Sequence, residues 1–424
     1  MKSLSQRDRN YIWHPLTQHK THPEVIGIRK AEGVYLYDEE GKGYIDGISS
    51  WYTAVYGHCN PFITGRVARQ MEQLDQVVFS GFTHEPAVSL SEKLIPLLPG
   101  NQARLFFSDN GSTAVEVAIK MALQYHFNRG ERRKVLLAFE EGFHGDTFGA
   151  MSVSGLSVYN GPFADFSLEV RRIPVPDQEE PTALLTRLEE LLETESVAAF
   201  VYEPLVQGAA AMKMHNARGL DRVLGCLREK GVLLVADEVM TGFGKTGTHF
   251  ASGQLKTQPD ILCLSKALTA GLLPMAVTSC TAAVFDAFYG DDLSLGFFHG
   301  HTYTANPLAC TAALAGLELL VSEPIQEGIR RIMHSHGEFL RRVDGHPAVR
   351  ASRQCGVILA LDLDAPGPRY GAFRDRAMRF FMERGVYLRP LGNTVYVLPP
   401  YVIRREELQK IYGAIEALLE QLKA

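Results

Sequence analysis

The pattern of apolar and polar positions changes near residue 62. Before that point, three short stretches at residues 25–30, 34–38 and 44–47 alternate in the way typical of strands. A polar, glycine-containing turn at residues 39–43 separates the second stretch from the third. This order predicts a small antiparallel meander.

After residue 62, helical periodicity alternates with short apolar runs bounded by turn residues. The first clear helix of this region is predicted at residues 113–129, directly after a strand. Alternating strands and helices with fully apolar strands indicate a mainly parallel sheet covered by helices on both faces. The predicted strands are residues 104–108, 134–139, 198–203, 232–237, 261–264 and 276–280.

Near the C-terminus, a long helical run at residues 307–344 precedes short strands at 357–362 and 395–398. A chain of 424 residues is too long for one ordinary core. We therefore predict an α/β protein with a large central domain and a smaller α+β domain built from both chain ends. The predicted divisions are residues 1–61, 62–315 and 316–424.

Composition narrows the possible functions. The formal net charge is −5, and no block of lysine and arginine stands out, which argues against nucleic-acid or membrane-surface partners. The six cysteines have no CxxC pair and no histidine cluster at metal spacing, so we expect neither disulfides nor a metal site. A polar N-terminus and the lack of an apolar run of about 18 residues lead us to expect a cytoplasmic protein that acts on small molecules.

In a parallel α/β sheet, ligands bind outside the carboxyl ends of the strands, so the residues after each strand are the candidates for chemistry. Lys266 follows the strand at 261–264, where it is either a surface residue or a nucleophile with a lowered pKa. After the strand at 104–108, Gly111 and Ser112 open a helix whose N-terminus can bind a phosphate, although a simple N-cap, with Thr113 and Glu116 as a capping box, is the commoner role.

Two further strands are followed by candidate site residues, Asp237 and Phe143. Asp237 ends an apolar strand, so a buried carboxylate there needs a cationic partner. Phe143, in the glycine-rich stretch 142–150, can stack on a planar ring or simply pack in the core. With Lys266 and the predicted phosphate site, these residues supply what pyridoxal phosphate needs: Lys266 forms a Schiff base with its aldehyde, and Asp237 keeps its ring nitrogen protonated.

The chain resembles the class III aminotransferases of the fold-type I pyridoxal-phosphate enzymes over nearly its whole length. The segments L-L-V-A-D-E-V-M-T-G-F-G-K-T-G at 233–247 and P-D-I-L-C-L-S-K-A-L at 259–268 are characteristic of that class. Within it, five further stretches are most similar to the members that aminate 8-amino-7-oxononanoate in biotin biosynthesis. These are I-W-H-P-L-T at 12–17, D-G-I-S-S-W-Y at 46–52, H-G-D-T-F-G-A-M-S-V at 144–153, H-G-H-T-Y-T-A-N-P-L-A-C at 299–310 and R-P-L-G-N-T-V-Y-V-L-P-P-Y at 389–401.

The resemblance implies roles for individual residues and a homodimer whose subunits share the active site. Thr302 would reach the cofactor phosphate from the partner subunit, and Arg389 would bind the substrate carboxylate. The implied cofactor-binding residues are Gly111, Ser112, Phe143, Asp237, Lys266 and Thr302. The implied substrate-binding residues are Trp51, Tyr52, Asp146, Gly300, Arg389 and Tyr396.

Leu16, Tyr52 and Phe143 differ from the residues usual in that class, so the amino donor stays open between S-adenosylmethionine and lysine. Alternative activities are those of other class III ω-aminotransferases, of the ornithine, 4-aminobutyrate or lysine type. A non-catalytic homologue that uses the fold for interaction is a third reading. Asp237 and Lys266 together argue against it, because neither has an obvious folding role at a strand end.

Overall fold

The chain forms two compact units. The larger consists of Phe62–Met333 and Gln354–Ile358, and the smaller of Met1–Pro61, His334–Arg353 and Leu359–Ala424. The computed structural model describes residues 3–21, 25–155, 160–365 and 371–423.

The larger unit begins at the predicted residue 62 but extends past the predicted end at residue 315, into the helix Glu323–Val343. The preceding helix, Pro307–Leu320, is buried along most of its length and packs against Glu85–Leu94. It therefore belongs to the core of the larger unit.

A short segment, Gln354–Ile358, joins the larger unit through close backbone contact. The Val357 N–H donates to the Lys245 carbonyl over 2.9 Å. Gly356 has a positive φ of 57°, and a Cβ there would lie 2.2 Å from the carbonyl carbon of Thr246. Only glycine permits this approach.

The larger unit contains a seven-stranded sheet that is parallel except at one strand. Ala276–Thr281 runs antiparallel to both of its neighbours, and the prediction of a mainly parallel sheet had not located such a strand. Val170–Ile173, which pairs parallel to Val135–Phe139, was not predicted. The α/β fold class with a mainly parallel central sheet is confirmed. The strand order is Gln102–Ser108, Ala276–Thr281, Ile261–Leu264, Leu233–Asp237, Val197–Tyr202, Val135–Phe139, Val170–Ile173.

The five interior strands are buried along their whole length, as strands covered on both faces must be. The helix Gly111–Asn128 covers one face with small residues such as Ala114, Ala118 and Ala122. Short side chains there let the helix lie close to the sheet. This packing fixes the position of the helix N-terminus at the carboxyl ends of the strands.

That helix is capped differently from the prediction. Asn110 is the N-cap, and Thr113 exchanges hydrogen bonds with it. Glu116 instead accepts hydrogen bonds from the N–H groups of Gly149 and Ala150, at 2.6 and 3.1 Å. Glu116 therefore caps the neighbouring helix, Phe148–Val153, because a carboxylate is stabilised at a helix N-terminus.

The smaller unit contains the predicted meander, made of Ile28–Glu32, Tyr35–Asp38 and Gly43–Asp46. Val386–Tyr387 from the C-terminal part adds a fourth strand parallel to Gly43–Asp46. A second sheet has three strands, in the order Val349–Cys355, Ile358–Leu363, Thr394–Val397.

Short strands at Val206–Gln207 and Lys213–Met214 pair with each other in the larger unit. In the described ranges no single helix is long and apolar enough to cross a membrane. Two consecutive helices, Pro307–Leu320 and Glu323–Val343, together have the length and composition of a membrane span, but a bend of 67° separates them. The other α-helices of the described residues are Leu4–Asp8, Pro61–Met71, Thr182–Thr194, Ala217–Glu229, Ala282–Asp286, Ala372–Glu383 and Arg405–Lys423, and Ser49–Tyr52 forms a single turn of left-handed backbone.

Candidate active site

Lys266 lies two residues beyond the end of the buried strand Ile261–Leu264, after Ser265. Ser265 anchors the turn by donating its hydroxyl to the Met275 carbonyl over 2.9 Å, and Lys266 adopts a positive φ of 49°. A non-glycine residue in this conformation is strained, and such strain persists where the surroundings enforce it, often at functional sites.

Burial lowers the pKa of Lys266, although the negative charges of Asp237 and Glu203 act in the opposite direction. A lowered pKa increases the fraction of neutral amine at a given pH. Neutral amine is the nucleophilic form, so this environment suits a lysine that attacks a carbonyl carbon.

Asp237 ends the neighbouring parallel strand, in register with Cys263. Its side chain is 4% exposed. One carboxylate oxygen, Oδ1, accepts the Val239 N–H at 3.0 Å, and the other, Oδ2, lies 2.7 Å from Nδ1 of His144. The buried carboxylate is thus held at a fixed angle by a backbone amide and an imidazole.

His144 is a site residue to which the sequence reasoning assigned no role. It is 4% exposed, and its backbone N–H donates to the Ser154 hydroxyl at 2.9 Å. Burial lowers the pKa of His144, but the hydrogen bond to Asp237 and the charges of Asp237 and Glu203 outweigh burial and raise it. The dyad therefore favours an imidazolium beside a carboxylate.

The N-terminus of Gly111–Asn128 is the position predicted to bind the cofactor phosphate, and its groups are free to do so. Among the described residues, no acceptor is found for the N–H groups of Gly111 and Ser112. Ser112 Oγ accepts the Asp146 N–H at 3.0 Å, which leaves its own proton available to donate. A Cβ at Gly145 would lie 2.0 Å from Ser112 Oγ, so glycine is needed where the two segments meet.

Phe143 follows the buried strand Val135–Phe139 and is half-buried. Its backbone N–H donates to Glu203 Oε2 at 3.1 Å, which fixes the start of the loop that carries His144 and Asp146. Asp146 is exposed at the same edge of the sheet. Glu203 directly follows its strand, Val197–Tyr202, and ends the strand predicted from the sequence at 198–203, so the strand-end rule that selected Asp237 could also have found Glu203.

In the smaller unit, the structure brings together the four residues predicted to bind substrate there. The Tyr52 hydroxyl lies 3.1 Å from that of Tyr396, and both tyrosines are buried. The Arg389 guanidinium carbon lies 4.4 Å from the Trp51 ring centroid. Within the described ranges, no carboxylate forms an ion pair with Arg389.

Trp51 and Tyr52 lie on a strained turn. Positive φ angles run through Ser49, Ser50, Trp51 and Tyr52, at 50°, 45°, 66° and 73°. Asp46 holds the turn by accepting the Ile48 N–H at 3.2 Å and the Ser50 hydroxyl at 2.8 Å. Four consecutive left-handed residues without glycine indicate that the surroundings enforce the position of these two aromatic rings.

Gly300 and Thr302 lie on an exposed loop of the larger unit. The Thr302 carbonyl accepts a hydrogen bond from Gln76 Nε2 at 2.8 Å. In the described part of the chain, no hydrogen bond joins either residue to Lys266 or Asp237. The structure of one chain therefore does not bring these two predicted residues into the cluster.

The cluster of the larger unit fits pyridoxal phosphate. Its phosphate would accept hydrogen bonds from the Gly111 and Ser112 amides and the Ser112 hydroxyl. Its aldehyde would meet the amine of Lys266, and its ring nitrogen the carboxylate of Asp237. The roles of the individual residues stay predictions.

Comparison with known proteins also indicates an aminotransferase that uses pyridoxal phosphate. Residues 16–419 match the model of the family "Aminotransferase class-III". The chain is 42% identical to an adenosylmethionine-8-amino-7-oxononanoate aminotransferase from Synechococcus elongatus, covering 97% of this chain and 99% of that protein. It is 33% identical to the protein of the same name from Helicobacter pylori, covering 100% and 99%.

Solved structures are similar over the same length. A crystal structure of the enzyme of that name from Methanocaldococcus jannaschii has a TM-score of 0.91 at 33% identity, covering 98% of each chain. An amine transaminase from an uncultivated Pseudomonas species, in its PLP-bound form, has a TM-score of 0.91 at 31% identity, covering 97% of this chain and 98% of that one.

We predict that Asp237→Asn slows amino transfer by on the order of 100-fold or more, because it removes a preorganised charge while nearly keeping the shape. Stopped-flow absorbance of a single half-reaction measures this rate. Asp260→Asn is the matched control, because Asp260 is a partly buried carboxylate that accepts the Leu234 N–H at 2.8 Å, at the amino end of the strands. Equal rates in both variants would contradict the role of Asp237.

Proposed function

The chain belongs to the class-III aminotransferase family, and from that premise we propose that it transfers an amino group to the ketone of 8-amino-7-oxononanoate. The product would be 7,8-diaminononanoate, in biotin biosynthesis. The chain is a pyridoxal-phosphate-dependent aminotransferase, and the proposal concerns its substrates. It is supported by full-length identities of 33–42% to relatives that bear the corresponding name.

The chemistry follows from the residues at the strand ends. Pyridoxal phosphate, when bound, supplies an electron-withdrawing ring that stabilises negative charge on the carbon that loses its proton. Lys266 would hold the cofactor through its amine, and the same amine, once freed by the donor, would act as the base that moves the proton at the donor carbon. Asp237 keeps the ring nitrogen protonated through its buried negative charge. Amino transfer then proceeds as two half-reactions, one with each substrate.

The cluster in the smaller unit suits a long aliphatic acid. Arg389 is available to bind a carboxylate with two parallel hydrogen bonds, and Trp51 holds its guanidinium by a cation–π contact. The ring of Trp51 and the buried pair Tyr52 and Tyr396 would contact the apolar chain of the acid.

S-adenosylmethionine is the proposed donor, because the relatives' name includes it. Leu16 and Phe143 replace residues that carry hydroxyl groups elsewhere in the class, so lysine is the donor to compare with S-adenosylmethionine.

A cytoplasmic location remains part of the proposal.

A homodimer is the proposed active form, with Thr302 acting toward the partner's cofactor. The larger unit presents a surface cluster of phenylalanines in which Phe148 contacts Phe163 and Phe166, with ring centroids 6.0 and 6.1 Å apart. Phe148 and Phe166 are 56% and 71% exposed. Exposed apolar clusters mark interaction surfaces, and a second copy of the chain would cover this one.

We predict that light scattering gives a mass of twice 47.0 kDa for the purified protein. Phe166→Asp should lower the mass toward that of one chain, because a charge would be buried in the interface. The control is Phe127→Asp, at an equally exposed phenylalanine. A single-chain mass for the unmodified protein would contradict the dimer.

The substrate proposal is tested with purified holoenzyme and 8-amino-7-oxononanoate as acceptor. We expect product with S-adenosylmethionine, and comparison with lysine, ornithine and 4-aminobutyrate identifies the donor by mass spectrometry of the products. Transamination that requires one of the other amines and ignores 8-amino-7-oxononanoate would favour a different ω-aminotransferase.

We predict that Arg389→Ala weakens the second half-reaction, with 8-amino-7-oxononanoate, by roughly 2–5 kcal/mol, the range for truncating one partner of a desolvated charge pair. A donor bound without that contact should still react in the first half-reaction. Stopped-flow absorbance measures the two separately. The control is Arg384→Ala, which removes an exposed arginine stacked on Phe380. An unchanged second half-reaction would remove Arg389 from the substrate site.

A further inference from the structure

Two buried side chains of the central sheet contact the first turn of the helix Gly111–Asn128. The Thr278 hydroxyl donates to the Ala114 carbonyl over 2.9 Å, and the Cys263 thiol donates to the same oxygen over 3.5 Å. All three residues are 0% exposed. The start of the helix is therefore tied to the sheet by hydrogen bonds, in addition to the packing of its alanines.

The two donors come from adjacent strands. Cys263 lies in Ile261–Leu264 and Thr278 in Ala276–Thr281, and the two residues stand directly opposite each other in the antiparallel pair. Opposite residues of such a pair point to the same face of the sheet. Both side chains therefore reach the helix at one point, and the first turn cannot shift along either strand without lengthening these contacts.

The hydroxyl of Thr278 is not needed to fill space. Valine has nearly the same shape and suits a buried strand as well as threonine does. A buried hydroxyl costs free energy unless it is hydrogen-bonded, so valine would avoid that requirement. The Ala114 carbonyl has its usual acceptor role within the helix, and its second lone pair accepts the hydroxyl. The contact therefore adds a directional constraint that apolar packing does not supply.

This constraint acts at the part of the helix predicted to bind the cofactor phosphate. Gly111 and Ser112, whose N–H groups are predicted to bind it, belong to the same turn as Ala114. Because an α-helix has a fixed geometry of 3.6 residues per turn, holding the Ala114 carbonyl also holds the direction of these N–H groups. A displacement of the helix at residue 114 would be passed on to them.

The same row of the sheet leads to the other end of the cofactor site. Cys263 is in register with Asp237 and precedes Lys266 by three residues along the chain. Its backbone carbonyl accepts the Glu238 N–H at 3.0 Å. The contacts at Ala114 therefore relate the helix to the strand ends that carry the amine and the carboxylate of the site.

We propose that Thr278, assisted by Cys263, is a positioning residue that fixes the distance between the phosphate end and the aldehyde end of the bound cofactor. Pyridoxal phosphate is built on a small rigid ring, so groups that hold it at two ends must keep a fixed separation, and misplacement by about 1 Å is costly. Thr278 acts through the helix rather than on the cofactor itself. The inference rests on the predicted phosphate position and is independent of the proposed substrates.

Thr278→Val tests this directly, because it removes the hydroxyl and nearly keeps the shape. We expect the dissociation constant of pyridoxal phosphate from the full-length protein to rise about 3- to 10-fold, which corresponds to the loss of one hydrogen bond between neutral groups. The dissociation constant of pyridoxal, which lacks the phosphate, should not rise. Cofactor absorbance during titration measures both constants, and neither titration uses a substrate.

A rescue variant and a matched control accompany this variant. Thr278→Ser keeps the hydroxyl and should bind pyridoxal phosphate as the unmodified protein does. Ser279→Ala is the control, because Ser279 is 0% exposed, points to the opposite face and donates its hydroxyl to Gln102 Oε1 over 2.7 Å. It loses an equally buried hydrogen bond, but one between two strands, so both dissociation constants should stay unchanged.

Two further measurements examine how the effect reaches the cofactor. Cys263→Ala should raise the dissociation constant of pyridoxal phosphate less than Thr278→Val does, because a thiol is a weak donor. Phosphorus NMR of the loaded protein reports the surroundings of the phosphate. Its resonance should shift in Thr278→Val and keep its position in Ser279→Ala.

An equal rise of the dissociation constants of pyridoxal phosphate and pyridoxal in Thr278→Val would overturn the inference, as would behaviour identical to that of Ser279→Ala. Ser112→Ala separates these results from an error in the phosphate position. If that variant binds pyridoxal phosphate as tightly as the unmodified protein, the phosphate lies elsewhere and the premise is wrong. If it binds more weakly while Thr278→Val does not, only the role of Thr278 is contradicted.

Discussion

The buried hydrogen bond between Asp237 and His144 is the interaction on which the site depends. It joins the end of Leu233–Asp237 to the loop after Val135–Phe139, over 2.7 Å. Breaking such a pair on one side leaves an uncompensated buried charge, which costs more than the pair contributes. The position of the Asp237 carboxylate therefore depends on the geometry of the sheet, because both residues of the dyad lie at or after strands that are buried on both faces.

Polar contacts of the same kind hold the segments around the dyad. Glu116 caps the helix Phe148–Val153, Ser112 accepts the Asp146 N–H, and Glu203 accepts the Phe143 N–H. Each contact is made by a side chain of another element to the backbone of residues 143–150. The loop that carries His144 is thus fixed at several points, which preorganises the site before any ligand arrives.

Strained backbone occurs where function is expected in each unit. Lys266 in the larger unit and the run from Ser49 to Tyr52 in the smaller one have positive φ without glycine. Such conformations persist only when neighbouring contacts enforce them, as Ser265 and Asp46 do here. The orientation of these side chains is therefore a property of the packed structure rather than of local preference.

The sequence by itself determined the α/β class, most strand positions and the choice of Lys266 and Asp237 as candidate site residues. Apolar strands and the polar residues at their ends can be recognised from periodicity alone. Only the tertiary structure decided that Ala276–Thr281 runs antiparallel, that Glu116 caps another helix, and that His144 contacts Asp237, 93 residues away. Periodicity records whether a residue is buried but not which distant residue it meets. Contacts between loops depend on how strands are ordered in the sheet, and that order is set by packing of the whole core.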